Sequence, residues 1–331
     1  MATSPLNMKH ILITGGSGFI GTNLVEYYYR QGHAVVNIDI KRPRNANHRV
    51  LWKECDILDF GHLRDTIVAF DPEYVIHLAA RTDLDENKDI DGYKANIDGV
   101  LNVVNAANDC GRLKRVMFAS SRYVCANGYQ PTHDADYSPF TLYGESKVIG
   151  EQIVRGAKVD FEWVIVRPTS IWGPWFDIPY TVFFETIWKG LYFNIGRLNP
   201  KKQYGYVGNT VYQIGKLLNA SVISVNRKTL YVCDYPPYEL RNWADLIRQA
   251  MDRKKIRSLP LWIMWIAALL GDRLSAFGWQ RWPITTSRLD NLVTDIIYDT
   301  HELESICGRL PYDLRAGVSK TVSWMREVGR I

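Results

Sequence analysis

The chain has 331 residues, 40 Lys plus Arg against 35 Asp plus Glu, a net charge of +5, 47% hydrophobic and 23% charged residues. That balance excludes disorder as the main state and allows a core burying on the order of three-quarters of the unfolded surface. The charge excess is mild and its runs, Lys41-Arg42-Pro43-Arg44 and Arg253-Lys254-Lys255, are short. A nucleic-acid stripe is therefore not expected, and a small anionic ligand fits better.

Met1 to His10 lacks the apolar core of a signal peptide. His10 to Thr14 reads as a short buried strand, followed by a glycine loop and a helix from Phe19 to about Gln31. Further strands are expected at Ala34–Ile38, just before Cys55, at Tyr74–Ala79, Val116–Ala119 and Phe161–Val166. Helical patterns at Leu63–Phe70, Asn96–Asp109 and Leu142–Arg155 separate them. Apolar strands alternating with helices predict an α/β fold of doubly wound, Rossmann type with a parallel sheet. Ligands of such sheets bind beyond the carboxyl ends of the strands. After Pro168 the pattern degrades into Gly, Pro and aromatic residues, with a strand expected at Thr229–Cys233 and a helix at Glu239–Asp252. The expected division is a dinucleotide-binding domain over 1–170 and a mainly substrate-binding region over 171–331, part of 204–228 packing back on the first. Cys55, Cys110, Cys125, Cys233 and Cys307 show no CxxC and no zinc spacing. No metal and no disulfide framework is expected, and a reducing, cytoplasmic compartment fits best.

The run Gly15-Gly16-Ser17-Gly18-Phe19-Ile20-Gly21 follows a strand and opens a helix. Gly15 permits a tight turn, Gly18 leaves room for a pyrophosphate, and Gly21 lets the helix approach the strand. The helix N-terminus adds N–H donors and partial positive charge. Asp39 stands at the end of the second strand, 18 residues after Gly21. An acid there accepts both hydroxyls of an adenosine ribose and repels a 2′-phosphate, which predicts NAD over NADP. Lys41 and Arg42 soften that preference. Asp56 is placed to meet the adenine amine, with Ile57 beside it.

Tyr143 and Lys147 share a helix face at i and i+4. A tyrosine of pKa ~10 is a poor base at neutral pH, and a neighbouring ammonium favours its phenolate. That pair describes a general base toward a substrate hydroxyl. Ser120-Ser121, beyond the Val116–Ala119 strand, offers a hydroxyl to the same oxygen.

With these stretches stand His77-Leu78-Ala79-Ala80, Ala95-Asn96-Ile97-Asp98-Gly99, Arg167-Pro168 and Trp172-Gly173-Pro174. Together they resemble the extended short-chain dehydrogenase/reductase family, in its nucleotide-sugar epimerase, dehydratase and reductase branch. The resemblance runs in order across the first 175 residues or so and weakens to Asp299. It implies that Tyr143 is the catalytic base and acid, that Lys147 lowers its pKa and binds the nicotinamide ribose, and that Ser121 is the family's Ser/Thr. It implies further that Asn96 supports active-site hydrogen bonding, and that Leu78, Ala79, Ala80 and Pro168 line the cofactor channel. Substrate contacts are expected from Thr82, Ser121, Arg122, Ser170 and Lys202. Lys202 stands where many relatives have a phosphate-binding arginine, and a surface lysine is the competing reading. A homodimer joined by helices near 96–110 and 143–155 is also implied.

Dehydrating relatives carry an Asp-Glu pair directly after the catalytic Ser/Thr, and here Arg122-Tyr123 stands there. The expected activity is therefore that of an NAD-dependent epimerase or oxidoreductase at a sugar carbinol, C4, of a nucleotide-sugar. A 4-keto-sugar reductase, a hydroxysteroid-like or lipid alcohol dehydrogenase, and a non-enzymatic NAD-binding redox sensor are the alternatives. Cys125 is read as packing. The acidic segment Thr82–Asp91 is read as solvated, with Thr82 and Asp83 as its candidates for a substrate contact. The run Leu259–Leu270 is too short for the ~20 residues of a bilayer span. A buried helix is the expectation for it. An interfacial helix, extended by Trp279 and Trp282 and flanked by Arg273 and Arg281, and a subunit contact are the alternatives.

Overall fold

The structure, a computed structural model, describes residues 8–84, 88–178, 180–276 and 285–331. Trp279, Arg281 and Trp282, and the acidic stretch 85–87, lie outside the described residues.

In chain order the first elements are β1 (His10–Thr14), α1 (Phe19–Arg30), β2 (Ala34–Asp39), β3 (Trp52–Glu54), α2 (Phe60–Phe70) and β4 (Tyr74–His77). There follow α3 (Lys94–Asn108), β5 (Arg115–Ala119), α4 (Leu142–Gly156), β6 (Glu162–Pro168), β7 (Ile171–Trp172), α5 (Tyr180–Trp188) and the short strands β8 (Asn194–Ile195), β9 (Lys201–Lys202) and β10 (Gly205–Tyr206). The rest comprises α6 (Val207–Asn219), α7 (Val222–Val225), β11 (Lys228–Val232), β12 (Tyr238–Glu239), α8 (Leu240–Ala250), β13 (Ser258–Leu259), α9 (Leu261–Ala276), α10 (Thr286–Val293), α11 (His301–Cys307) and α12 (Leu314–Glu327).

Seven parallel strands form one sheet in the order β11-β6-β5-β4-β1-β2-β3, the Rossmann-type arrangement. Strands β1, β4, β5 and β6 are buried almost throughout, which is why each reads as a continuous apolar run. Leu12, Val75, Val116, Phe118 and Ile165 of the sheet pack in one cluster with Leu63 and Ile67 of α2 and Val100 and Val103 of α3. Helix starts follow local capping: Asp59 accepts from His62 N (3.1 Å) at α2, and Thr141 from Gly144 N (3.0 Å) at α4.

The chain divides into two compact units. The first comprises Met1–Ile171, Gly205–Cys233 and Asp299–Pro311, and the second Trp172–Tyr204, Asp234–Tyr298 and Tyr312–Ile331. Helix α6, unannounced in the sequence reading, buries Val207, Val211, Ile214 and Leu218 at helical spacing. Arg115 of β5 ties its C-terminal carbonyls to the sheet, donating to Leu217 O (2.6 Å), Leu218 O (3.0 Å) and Ala220 O (3.0 Å). In the second unit an aromatic cluster centres on Trp243, which stacks on Phe183 at 4.6 Å and meets Trp172 at 5.3 Å.

The expectation of a buried helix over 260–270 is overturned. Among the described residues of α9, Ala268 and Gly271 are buried, and Ala268 and half-buried Met264 pack against Ile195 and α10. The opposite face has no covering layer among the described residues: Trp262 is 64%, Leu269 55% and Ile266 52% exposed. Apolar content alone did not decide burial, because a helix is covered only where a second element reaches it.

Candidate active site

At the carboxyl end of β1 the chain turns through Gly15, whose φ of +70° is a left-handed conformation. A Cβ there would also lie 2.6 Å from Ala79 N, and one on Gly21 would lie 2.3 Å from Gly15 O. The loop thus closes against both the chain leaving β4 and the first turn of α1. Gly18 differs: a Cβ there would meet only Gly15 O, at 3.1 Å, so its surroundings are open. It stands at the N-cap of α1 with no side-chain cap, and no acid occupies the first turn. Phe19 and Ile20 of that turn are half-buried.

Asp39 ends β2 beside this loop. Its carboxylate accepts from Ser17 N (3.1 Å) and Lys41 N (2.8 Å). Burial raises its pKa, against the pull of those two backbone hydrogen bonds. Asp56 is exposed and accepts from Leu58 N (2.9 Å). The Ile57 side chain belongs to the core cluster, and its carbonyl accepts from Asn102 (2.9 Å).

Strand β4 ends at His77, two residues short of the expected Ala79, because the chain leaves the sheet to meet Thr14. Thr14 Oγ1 accepts from Leu78 N (3.2 Å) and Ala79 N (3.1 Å) and lies 2.7 Å from His77 Nδ1. Leu78, Ala79 and Ala80 are half-buried beside the glycine loop. Asn96, fully buried at the start of α3, accepts from Arg81 N (2.8 Å) and donates to Arg81 O (3.0 Å) and Ser146 Oγ (2.9 Å). It therefore ties the post-β4 loop to α4 and acts as a positioning residue. Thr82 is exposed, and Asp83 pairs with Arg81 at 2.9 Å.

Tyr143 and Lys147 stand on the first two turns of α4, both buried. Lys147 Nζ donates to Ala119 O (3.0 Å) at the end of β5. Burial lowers its pKa to about 8, with Glu151 pulling the other way. Ser121, two residues beyond β5, is buried and accepts from Tyr123 N (3.2 Å). The Tyr143 ring meets those of Tyr123 (5.7 Å) and Tyr93 (6.0 Å). Sequence reasoning passed over the residue that permits this: a Cβ at Gly144 would lie 2.3 Å from Tyr123 O, so only glycine lets α4 sit against the Ser121 segment. It also passed over Glu151, one turn beyond Lys147, which accepts from Nε and Nη2 of buried Arg167 at 2.8 Å and from the Tyr137 hydroxyl at 3.0 Å. The i+4 spacing from Lys147 was the available signal.

Arg122 is buried, donates to Asn127 Oδ1 (2.6 Å) and lies 4.4 Å over the Tyr123 ring. Cys125 packs with Val124 and Val148, and all five cysteines are free. Pro168 closes β6, and Ser170 is buried with its carbonyl accepting from Gly205 N (3.0 Å). Lys202 is no surface lysine. It is fully buried in the second unit, where its ammonium caps the Asn291 and Thr294 carbonyls at the end of α10. Those carbonyls already engage the charge that the sequence reading assigned to substrate phosphates.

The signature of the NAD dependent epimerase/dehydratase family matches residues 11–224, the stretch that carries the glycine loop, Asp39, Ser121, Tyr143 and Lys147. The chain belongs to that family. The chain is 26% identical over 326 residues, 95% of each chain, to the N-acetyl-alpha-D-glucosaminyl-diphospho-ditrans,octacis-undecaprenol 4-epimerase of Escherichia coli O157:H7. It is 27% identical over 221 residues to a 3-beta-hydroxysteroid dehydrogenase of Mycolicibacterium neoaurum, spanning 62% of this chain and 60% of that one. Its fold matches the UDP-glucose 4-epimerase of Thermotoga maritima, solved with UDP-glucose, at a TM-score of 0.73 and 20% identity over 96% and 99% of the two chains.

Family membership makes the chain an NAD-dependent enzyme. Its residues fit that cofactor. Gly18 leaves open space at an uncapped helix N-terminus, suited to a pyrophosphate. The Asp39 carboxylate is held in place at the end of β2. Ser120 Oγ, buried and without a hydrogen-bond partner among the described residues, lines a small cavity with Asn96 and Lys147.

Proposed function

We propose that the chain is a sugar 4-epimerase acting on a substrate joined through a diphosphate to a nucleotide, with Tyr143 moving the hydroxyl proton. The observation that carries this reading is the grouping of Tyr143, Lys147 and Ser121 where α4 meets the end of β5. Gly15, Ser17, Gly18, Phe19, Ile20 and Gly21 would hold the NAD pyrophosphate, and Asp39 the adenosine ribose. Asp56 would meet the adenine, with Ile57, Leu78, Ala79, Ala80 and Pro168 beside the cofactor.

Bound NAD supplies reversible hydride exchange with the carbinol carbon, C4. The Tyr143 phenolate takes the proton of the C4 hydroxyl and returns it when the alcohol re-forms. The Lys147 ammonium favours that phenolate and binds the nicotinamide ribose. Ser121 holds the reacting oxygen, and Asn96 keeps α4 in register. Arg122 and Tyr123 offer no carboxylate to remove a C5 proton, which keeps the cycle to oxidation and reduction at one carbon. Thr82, Arg122 and Ser170 remain the proposed substrate contacts. A homodimer through α3 and α4 is also proposed. Leu101 is exposed there beside a cavity of about 330 Å³ lined by Asn105, Gln152 and Ile153. Work in a reducing, cytoplasmic compartment suits the five free cysteines.

A second reading replaces the nucleotide with a polyprenyl carrier. The polyprenyl-diphosphate substrate named for the Escherichia coli relative and the exposed apolar face of α9 favour it. The test incubates the NAD-loaded chain with nucleotide-sugars, a polyprenyl-diphosphate N-acetylhexosamine and a 3β-hydroxysteroid, read by mass and NMR. An isomer of unchanged mass is expected from one sugar class. A gain of two hydrogens, hydride plus proton, when a 4-keto-sugar is supplied with NADH would make it a ketoreductase, and turnover of the steroid alone would overturn the sugar reading. Tyr143→Phe should keep bound NAD and lose turnover by about 10²–10⁴-fold. Undiminished turnover in that variant would remove Tyr143 from the mechanism.

A further inference from the structure

Helix α9 is 16 residues long, ~24 Å at 1.5 Å per residue, and among the described residues no helix is long and apolar enough to cross a membrane. Its packed stripe is Met264, Ala268 and Gly271. At about 100° per residue, Trp265, Leu269, Trp262, Arg273, Ile266 and Leu270 fall on an arc of ~140° opposite that stripe. All six are exposed, and five of them are apolar. A helix that is apolar all round belongs in a core or against lipid. Here one side has no protein cover among the described residues.

The surroundings are cationic. Arg253, Lys254, Lys255 and Arg257 precede the helix and are exposed, and Arg273 stands on the apolar arc itself. Residues 252–290 contain seven Lys or Arg against three acids, Asp252 and Asp290 at the two ends and Asp272 on α9 itself. Asp272 is engaged by Thr286, whose hydroxyl donates to it at 2.6 Å. Four of the eleven tryptophans of the chain, Trp262, Trp265, Trp279 and Trp282, fall within 262–282.

We infer that α9 and its cationic flank form a docking surface for an anionic phospholipid bilayer. The helix would lie in the interface plane, its apolar arc ~5–10 Å deep at the headgroup boundary. Trp262 and Trp265 suit that depth, since their rings are apolar and their N–H groups polar. The basic side chains face the negative leaflet. Charge decides against a second copy of the chain. A two-fold contact sets the same patch against itself, so seven cations would face seven cations with only three acids on each side. The docking does not depend on which sugar is turned over.

The test is flotation of the full chain, loaded with NAD, on vesicles of phosphatidylglycerol with phosphatidylcholine and on phosphatidylcholine alone. The chain should float with the anionic vesicles and do so less at high salt. Trp262→Glu with Ile266→Glu should weaken binding at least about tenfold. Arg253→Glu with Lys254→Glu and Lys255→Glu should abolish the preference for anionic lipid. Circular dichroism and bound NAD should stay unchanged in both, because every altered side chain is exposed. Absence of flotation in the parent chain, or equal flotation of the apolar variant, overturns the inference. So does loss of a dimer in that variant, by light scattering, without flotation of the parent. Flotation needs no turnover, so its failure is separate from failure of the epimerase reading.

Discussion

Thr14 Oγ1 accepts two backbone N–H bonds from Leu78 and Ala79, so its own hydrogen is directed at His77 Nδ1. That nitrogen must then be an acceptor, and the imidazole neutral with its proton on Nε2. Burial, with Lys147 adding to it, lowers the His77 pKa from 6.5 to about 3. A depressed value means that the unfolded chain takes up this proton first. The stability from neutral His77 is complete above pH 6.5 and is lost as pH falls from there toward about 3. Urea titrations over that window should show a steeper acid loss in the parent chain than in His77→Gln. Equal slopes would contradict the neutral, buried assignment.

At the scale of elements, α4 carries Tyr143 and Lys147 of the proposed site and is placed by what it lacks. Gly144 and Gly150 let it approach Tyr123 O and Asn96 O, where added Cβ atoms would lie at 2.3 and 2.9 Å. Gly144→Ala should therefore push α4 off the Ser121 segment. A misplacement of ~1 Å costs about 10²-fold in kcat, with NAD retained on the unchanged glycine loop. Full activity in that variant would show that the close approach is dispensable. The spacing of Tyr143 and Lys147 was legible because i and i+4 share a helix face. The glycine contact was not, because it depends on a carbonyl 21 residues earlier in the chain.

Over the whole molecule, long-range ties hold distant segments to the first unit. Arg115 pairs with Glu162 and meets three carbonyls around the end of α6, about a hundred residues away in the chain. Arg115→Ala leaves those buried carbonyls unsatisfied and should cost about 3 kcal/mol in denaturation experiments. A loss below about 0.5 kcal/mol would show that water replaces the guanidinium.

The sequence by itself determined the parallel α/β sheet, the glycine loop with Asp39 beside it, and the shared helix face of Tyr143 and Lys147. Those follow from local periodicity and short spacings, which short stretches of chain carry within themselves. Tertiary structure alone decided that Lys202 caps a helix, that Asn96 and Glu151 brace α4, and that α9 is open on one side. Each of these turns on which distant backbone or side chain arrives as a neighbour. An apolar run, like a buried charge, has no fixed fate until that neighbour is present.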